Sequence, residues 1–421
     1  MLRRLLCISA LTTLLVLPQA GISQSATAST PWGWPQPYRQ ISEKSVEWLK
    51  AKKWWPLTVA WQPPFAGQNA TMISLAANEF LAKRGLEFRM EAMASGVNVN
   101  KAILEGKAQV GSGGNFPLTL LINQGAPIRV VAVVAPNLKH QLIVPLNSPL
   151  KTMADLKGSR PPATIGLIPG TSAEFYFQAS AAANGLKLGQ DIVIKNVPQP
   201  DQAKMPAELA GVVPWDPTVT LITQEQKNGR TIDVSYPYTV FQGNIFVRKE
   251  ILEEAPDVAR AIAESFVEAD LWLRLYPEKA VDTMAAHPDL KGFSRALLKQ
   301  QLEEYNLLYK PTYMFPLGSF WGMQNQDVAL WLHLNGRLKK PILREDYEAV
   351  YAPALMSEIY AMLGWKVPIV PPYIPADWFS AGRRVTLPKY ETYLNMKAPQ
   401  PWPEKSDLTK PFRFGNKTYT T

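Results

Sequence analysis

From Leu57 onward the chain alternates short apolar runs with segments of helical spacing, and it does so twice. Leu57-Thr58-Val59-Ala60 reads as a strand. Residues 69–84 read as a helix, with Ile73, Ala77, Phe80 and Leu81 on one face and Gly85 as its stop. Strand-like runs at 86–93, 108–110 and 128–134 then alternate with helical runs at 97–105 and 116–124. A second unit of the same kind starts near Leu142: strands at 142–145, 164–168 and 191–197, a short helix at 153–158, a helix opened by Gly170-Thr171-Ser172, and a short helix at 205–210. Alternation of this kind predicts parallel-rich sheets covered by helices. Extended character returns at 239–247. Beyond Lys249 the chain reads as mostly helical, with Val258, Ile262, Phe266, Ala269 and Leu273 on one helix face and further helices near 320–334 and 346–363.

The chemically suggestive stretch is Gly111-Ser112-Gly113-Gly114-Asn115-Phe116-Pro117. It joins a strand to a helix that Gly125 and Pro127 terminate. A glycine turn feeding a helix N-terminus leaves backbone N–H groups at the positive end of the helix dipole, where an anion binds. No Gly-Lys-Ser/Thr follows, so it is not a nucleotide phosphate loop. A plain strand-to-helix turn is the alternative reading.

Composition narrows the classes. Arg3, Arg4 and the apolar run Leu5–Leu17, followed by Pro18 and small residues, have the form of an export signal, cleaved after Ser23 or Ala28. The run is too short to favour a membrane span. Cys7, inside that signal, is the chain's one cysteine, so the mature chain has no disulfide and no thiolate chemistry. His140, His287 and His333 are scattered; they read as surface or packing residues, and neither metal nor cofactor is expected. The formal charge of +9, or +7 without Arg3 and Arg4, favours an anionic ligand or surface. The basic residues are dispersed, which argues against nucleic-acid binding.

Taken in order, several landmarks resemble the periplasmic solute-binding proteins of ABC transporters, in the branch serving aliphatic sulfonates, taurine, nitrate and thiamine-pyrimidine precursors. They are Ala108-Gln109-Val110-Gly111 with its glycine run and Pro117, Gly125-Ala126-Pro127-Ile128-Arg129-Val130-Val131-Ala132, the strand near Leu142–Pro145, Met153–Gly158, Gly170-Thr171-Ser172-Ala173, Trp215-Asp216-Pro217, and the helix after Ala255-Pro256. The match runs from about 57 to 286 and more weakly to 364. The resemblance implies a two-lobed α/β fold of the periplasmic-binding-protein type II class. Its mixed, mostly parallel sheets would be flanked by helices, with hinge crossovers near Gln141–Leu142 and near Tyr238–Asn244. The expected division is a signal at 1–28, a lead at 29–55, lobe one at 56–141, lobe two at 142–240, the return to lobe one with C-terminal helices at 241–365, and an extended Pro-rich tail at 366–421. It further implies a periplasmic monomer, without enzymatic activity or membrane insertion, that passes a small organic anion to an ABC permease.

In such a fold the cleft is lined by loops at strand ends and by helix N-termini. The candidates are Gln62 and Phe65 after the first strand, and Ser112, Gly113, Gly114, Asn115 and Phe116 in the glycine run. Thr171 and Ser172 are the counterparts in lobe two, joined by Trp215, Asp216 and, near the return crossing, Asn244. Bland duties compete at several of them: helix capping for Asn115, Thr171 and Ser172, packing for Phe65, and turn initiation for Asp216. Glu174 stands where the sulfonate branch commonly has histidine or another polar group; a carboxylate there repels a sulfonate unless it faces away. A sensing module would use the same residues. The enzyme reading, by resemblance to thiamine-pyrimidine synthases, is disfavoured because the mature chain lacks their cysteine-rich segment.

Overall fold

The computed structural model describes residues 34, 36–64, 68–134, 140–235 and 241–308, several stretches between 314 and 363, and two short strands at 412–414 and 417–419. The expected signal, Phe65 and most of the tail lie outside the described residues. Phe412–Phe414 pairs antiparallel with Lys417–Tyr419.

The first sheet is built from β1 (Leu57–Trp61), β2 (Phe88–Ala92), β3 (Val110–Gly114), β4 (Ile128–Val134), β10 (Gly243–Arg248) and β11 (Met314–Phe315), in the order β11-β4-β10-β3-β1-β2. β1 pairs parallel with β2 and β3, whereas β10 runs antiparallel between β3 and β4. The second sheet contains β5 (Gln141–Pro145), β6 (Ala163–Leu167), β7 (Ile192–Asn196), β8 (Gly211–Val212) and β9 (Gly229–Val234), ordered β7-β6-β8-β5-β9. β6 lies parallel to β7 and β8, while β5 opposes β8 and β9. The chain therefore leaves the first sheet after Val134, completes the second, and re-enters the first at Gly243. This is a two-lobed periplasmic-binding-protein fold.

The helices follow from apolar faces that need cover. In lobe one these are α1 (Glu43–Ala51), α2 (Gln68–Ala77), α3 (Gly96–Leu104) and α4 (Asn115–Asn123). Lobe two carries α5 (Ser172–Ala183) and the short α6 (Gln199–Gln202) and α7 (Thr218–Thr220). After the return come α8 (Lys249–Glu254), α9 (Pro256–Leu275), α10 (Pro277–Ala286) and α11 (Arg295–Leu308), then helices at Arg344–Val350 and Pro353–Met362. β1, β3 and most of β4 are buried along their whole length, as strands covered on both faces must be. The helix α9 buries Val258, Ile262, Phe266, Ala269 and Leu273 at the expected spacing.

Within the α2–α9 seam sits a charged group with no exposure. Arg84 Nη1 donates to Glu268 Oε2 at 2.6 Å, and its Nε lies 3.5 Å from Glu264 Oε2. Trp34 and Tyr38 from the lead cover its guanidinium, and Tyr38 Oη donates to Glu268 Oε1 at 2.6 Å. Removing one partner of a buried pair leaves an uncompensated charge, typically costing about 3–5 kcal/mol. The lead is thus docked on lobe one through this group.

Several expectations are corrected. The glycine run is not a turn: Gly111 to Gly114 are the body of β3, and α4 starts directly at Asn115. The reason is the returning β10. A Cβ on Gly111 would overlap the Phe246 ring, and one on Gly243 would come within 2.5 Å of Val134 O. Residues 205–210 are not helical; Met205 has φ +48°, Pro206 follows, and the short helix lies earlier, at α6. The helix expected at 69–84 is interrupted where Glu79 has φ +54°, and that at 346–363 is broken before Pro353. The strand β9 was not foreseen.

Gly243→Ala should destabilise the fold by about 2–3 kcal/mol, since its methyl meets backbone that cannot step aside. Gly292→Ala, where nothing lies within 4 Å, should stay within about 0.5 kcal/mol of the parent. Urea unfolding of the two variants checks the contrast; equal midpoints would contradict the packing described.

Candidate functional site

The lobes meet at the N-termini of α4 and α5. The N-cap of α4 is Gly114 (φ −70°, ψ 169°), and no side chain caps this helix. Thr171 is the N-cap of α5, yet its hydroxyl donates to Ile168 O at 2.7 Å rather than capping. Both helices thus present first-turn N–H groups without a side-chain cap, and their dipoles add positive potential there. Asn115 is the first residue of α4, not its cap. Its Oδ1 accepts from Ser172 Oγ at 3.0 Å, a hydrogen bond from one lobe to the other.

Gly114 is what allows this approach. A Cβ there would lie 2.8 Å from Ser172 Oγ and 2.9 Å from the Phe241 ring. A second tie crosses nearby, where Trp215 Nε1 donates to Pro64 O at 3.0 Å. Between these ties lies a cavity of about 20 Å³, lined by Gln62, Gly114, Pro117, His140, Thr171, Ser172, Trp215 and Phe241. That is room for about one water molecule, so any organic ligand requires the lobes to part.

His140 is the residue that sequence reasoning missed. It is 2% exposed, it stands edge-on to the rings of Trp215 (6.0 Å) and Phe241 (5.4 Å), and neither ring nitrogen has a protein hydrogen-bond partner. The reading of it as a packing residue is half right: it packs, and it also lines the cleft. A lone histidine carries no spacing signal; only its place at the first crossing, bridged to Trp215, reveals it. Burial among rings pushes its imidazole down to about 3, so it is neutral near pH 7. Asn115 Nδ2 is likewise buried and unpartnered. Buried polar groups are nearly always satisfied, so the unpartnered His140 ring at this cavity marks a place for a ligand or water.

The remaining candidates divide. Gln62, Gly114, Thr171, Ser172 and Trp215 line the cavity. Ser112 instead donates to Gln68 Oε1 at 2.9 Å inside lobe one, and Asn244 Nδ2 donates to Gly113 O at 3.4 Å. Asp216 performs the turn duty, accepting from Thr220 N and Oγ1 at 3.1 and 2.7 Å. Phe116 packs against Phe175 outside the cavity. Glu174 faces away: Oε2 accepts from Gly170 N at 2.7 Å and from Arg337 Nη1 at 2.8 Å, so its charge is paired and turned from the lining. Among the described residues no cluster of His, Cys, Asp and Glu has the makings of a metal site, and no helix is long and apolar enough to cross a membrane.

Comparison with known proteins places this geometry. The family model described as NMT1/THI5 like matches residues 68–280, half of the chain and both helix N-termini. The chain belongs to the NMT1/THI5-like family. The taurine-binding periplasmic protein of Escherichia coli (strain K12) is 25% identical over 232 residues, covering 52% of this chain and 69% of the relative. Among solved structures, the alkanesulfonate-binding protein SsuA from Xanthomonas axonopodis pv. citri superposes with a TM-score of 0.59 at 18% identity, over 70% of this chain and 97% of its own. The periplasmic nitrate-binding protein NrtA from Synechocystis PCC 6803 gives 0.60 at 16% identity, over 75% and 91%. The taurine-, alkanesulfonate- and nitrate-binding proteins are those of the branch that the sequence resembles.

The depressed His140 basicity has a sign. The unfolded imidazole titrates near 6.5, the folded one near 3, so below pH 6.5 the unfolded state gains a proton that the folded state refuses. His140 therefore contributes a loss of stability as pH falls through this window. His140→Gln should make the fall of unfolding free energy between pH 6 and pH 4 shallower by up to about 1.4 kcal/mol per pH unit. Urea titrations at both pH values test this; parallel curves for parent and variant would refute it.

Proposed function

We propose that this chain captures a small organic anion, a sulfonate or carboxylate, between its lobes in the periplasm and delivers it to an ABC permease. One observation carries the reading: two uncapped helix N-termini meet at a cavity lined by buried His140, whose ring nitrogens have no protein partner. The relatives' names, taurine-, alkanesulfonate- and nitrate-binding, point to the same ligand chemistry.

The physical account is anion recognition without a cation. No charged side chain lines the cavity among the described residues. The ligand's oxygens are met by first-turn N–H groups of α4 and α5 and by the Ser172 hydroxyl and Asn115 amide, which parting of the lobes frees from each other; neutral His140 adds one donor. Such preorganised neutral donors favour an anion while sparing the cost of burying a lysine or arginine. Trp215, Phe241 and Pro117 supply an apolar wall for the ligand's carbon body. In this reading lobe one spans 56–141 and 241–365 and lobe two 142–240, with the hinge crossings near Gln141–Leu142 and near Asn244.

Isothermal titration of the purified chain, cleared of co-purified ligand by unfolding and refolding, tests it against taurine, alkanesulfonates, short carboxylates and nitrate. Saturable binding of at least one organic anion is expected, and Ser172→Asp should weaken it tenfold or more, about 1.4 kcal/mol, by placing a carboxylate at the helix end. If no organic anion bound the refolded parent, the proposal would fail.

A further inference from the structure

The family match ends at residue 280, yet a later segment closes on the cleft. Residues 331–334 are helical. The Trp331 ring lies 6.1 Å from Phe116, in the first turn of α4, and 5.2 Å edge-on from Phe175, in the first turn of α5. Arg337 repeats the pattern: its Nη1 donates to Glu174 of α5 at 2.8 Å, and its guanidinium carbon lies 5.3 Å from the centre of the Phe116 ring. Val328, Leu332, Leu338 and Tyr347 join Phe116 and Phe175 in one buried cluster that spans both lobes.

The segment is anchored on lobe one. Tyr347 Oη is 2.7 Å from Thr119 Oγ1 of α4, Tyr351 bridges to Val130 of β4, and Ala352 N donates to Val130 O at 2.8 Å. Among the described residues it grips lobe two through Trp331 on Phe175 and Arg337 on Glu174. Both of those residues belong to the helix whose N-terminus lines the cavity. Parting the lobes pulls α5 away from α4, and Trp331 and Arg337 cannot follow both.

We propose that residues 331–338 form a latch, fixed to lobe one, that holds lobe two closed through Trp331 and Arg337 independently of ligand. Opening of the cleft then requires an aromatic contact and an ion pair to break together. The ligand meets a barrier set by the C-terminal segment, not by the hinge alone. The alternative is that these helices merely brace lobe one and leave the lobes' equilibrium untouched.

Distances between nitroxide labels measured by pulsed electron spin resonance decide between them. Cys7→Ser removes the native thiol, and Lys101→Cys on α3 with Lys195→Cys on β7 places exposed labels on opposite lobes. Without added ligand, the full-length labelled parent should show a dominant short-distance population beside a minor long-distance one. Arg337→Gln should raise the open-to-closed ratio about fivefold, and Trp331→Ala about tenfold. Salt at 1 M should shift the parent towards open and leave Arg337→Gln unmoved. Unchanged distance distributions in both variants would overturn the latch, as would a parent already open. If Trp331→Ala does not fold, Arg337→Gln, which leaves the aromatic cluster in place, decides the matter. None of these readings uses a ligand, so they stand or fall separately from anion capture.

Discussion

The antiparallel insertion of β10 between β3 and β4 is the constraint on which the rest of the molecule depends. It ties the two crossings together. Val134 and Gly243 are partners at the strand ends of one sheet, and Gln141 and Val234 are partners at the strand ends of the other. The chain must therefore pass between lobes twice, side by side, and lobe one must be finished by sequence that follows lobe two. The same insertion requires a narrow β3, because Phe246 lies over Gly111. Glycines that suggest a flexible loop are here a response to close packing across a strand pair.

That distinction explains what could be read in the sequence. The apolar alternation of β1, β4 and β6 and the spacing of α9 survive because burial on two faces leaves a continuous signal. The convergence of Gly114 and Ser172 was legible through the order of the landmarks. The strand β9 was not, because Gly229-Arg230-Thr231-Ile232-Asp233-Val234 lies at a sheet edge, partly exposed, and its polar residues hide the pattern. The roles of His140 and Glu174 were hidden for another reason. Each depends on partners remote in sequence, Trp215 and Phe241 for one and Arg337 for the other, and no local spacing encodes such a meeting.

Electrostatically, the cleft separates its charges from its donors. The carboxylate nearest the α5 N-terminus is buried, paired and turned from the lining, and the lining is neutral. Helix ends and amide or hydroxyl groups then supply potential without competing charge. Arg84, with Glu264 and Glu268, shows the opposite solution inside lobe one, where full burial obliges a cation to carry its counter-charges with it. Buried charge carries its counter-charge with it, while the cavity lining stays neutral.

Gly114 has a consequence beyond permitting contact. Ser172 and Phe241 both come within 3 Å of where its side chain would begin. Position 114 is therefore the doorstop of the molecule, and here the stop has been removed. The smallest gap the lobes can reach is fixed by a hydrogen atom. Each added carbon would prop the cleft wider and shift its fit towards bulkier guests. In the anion-capture reading, this one position gauges ligand size without touching the charge of the site.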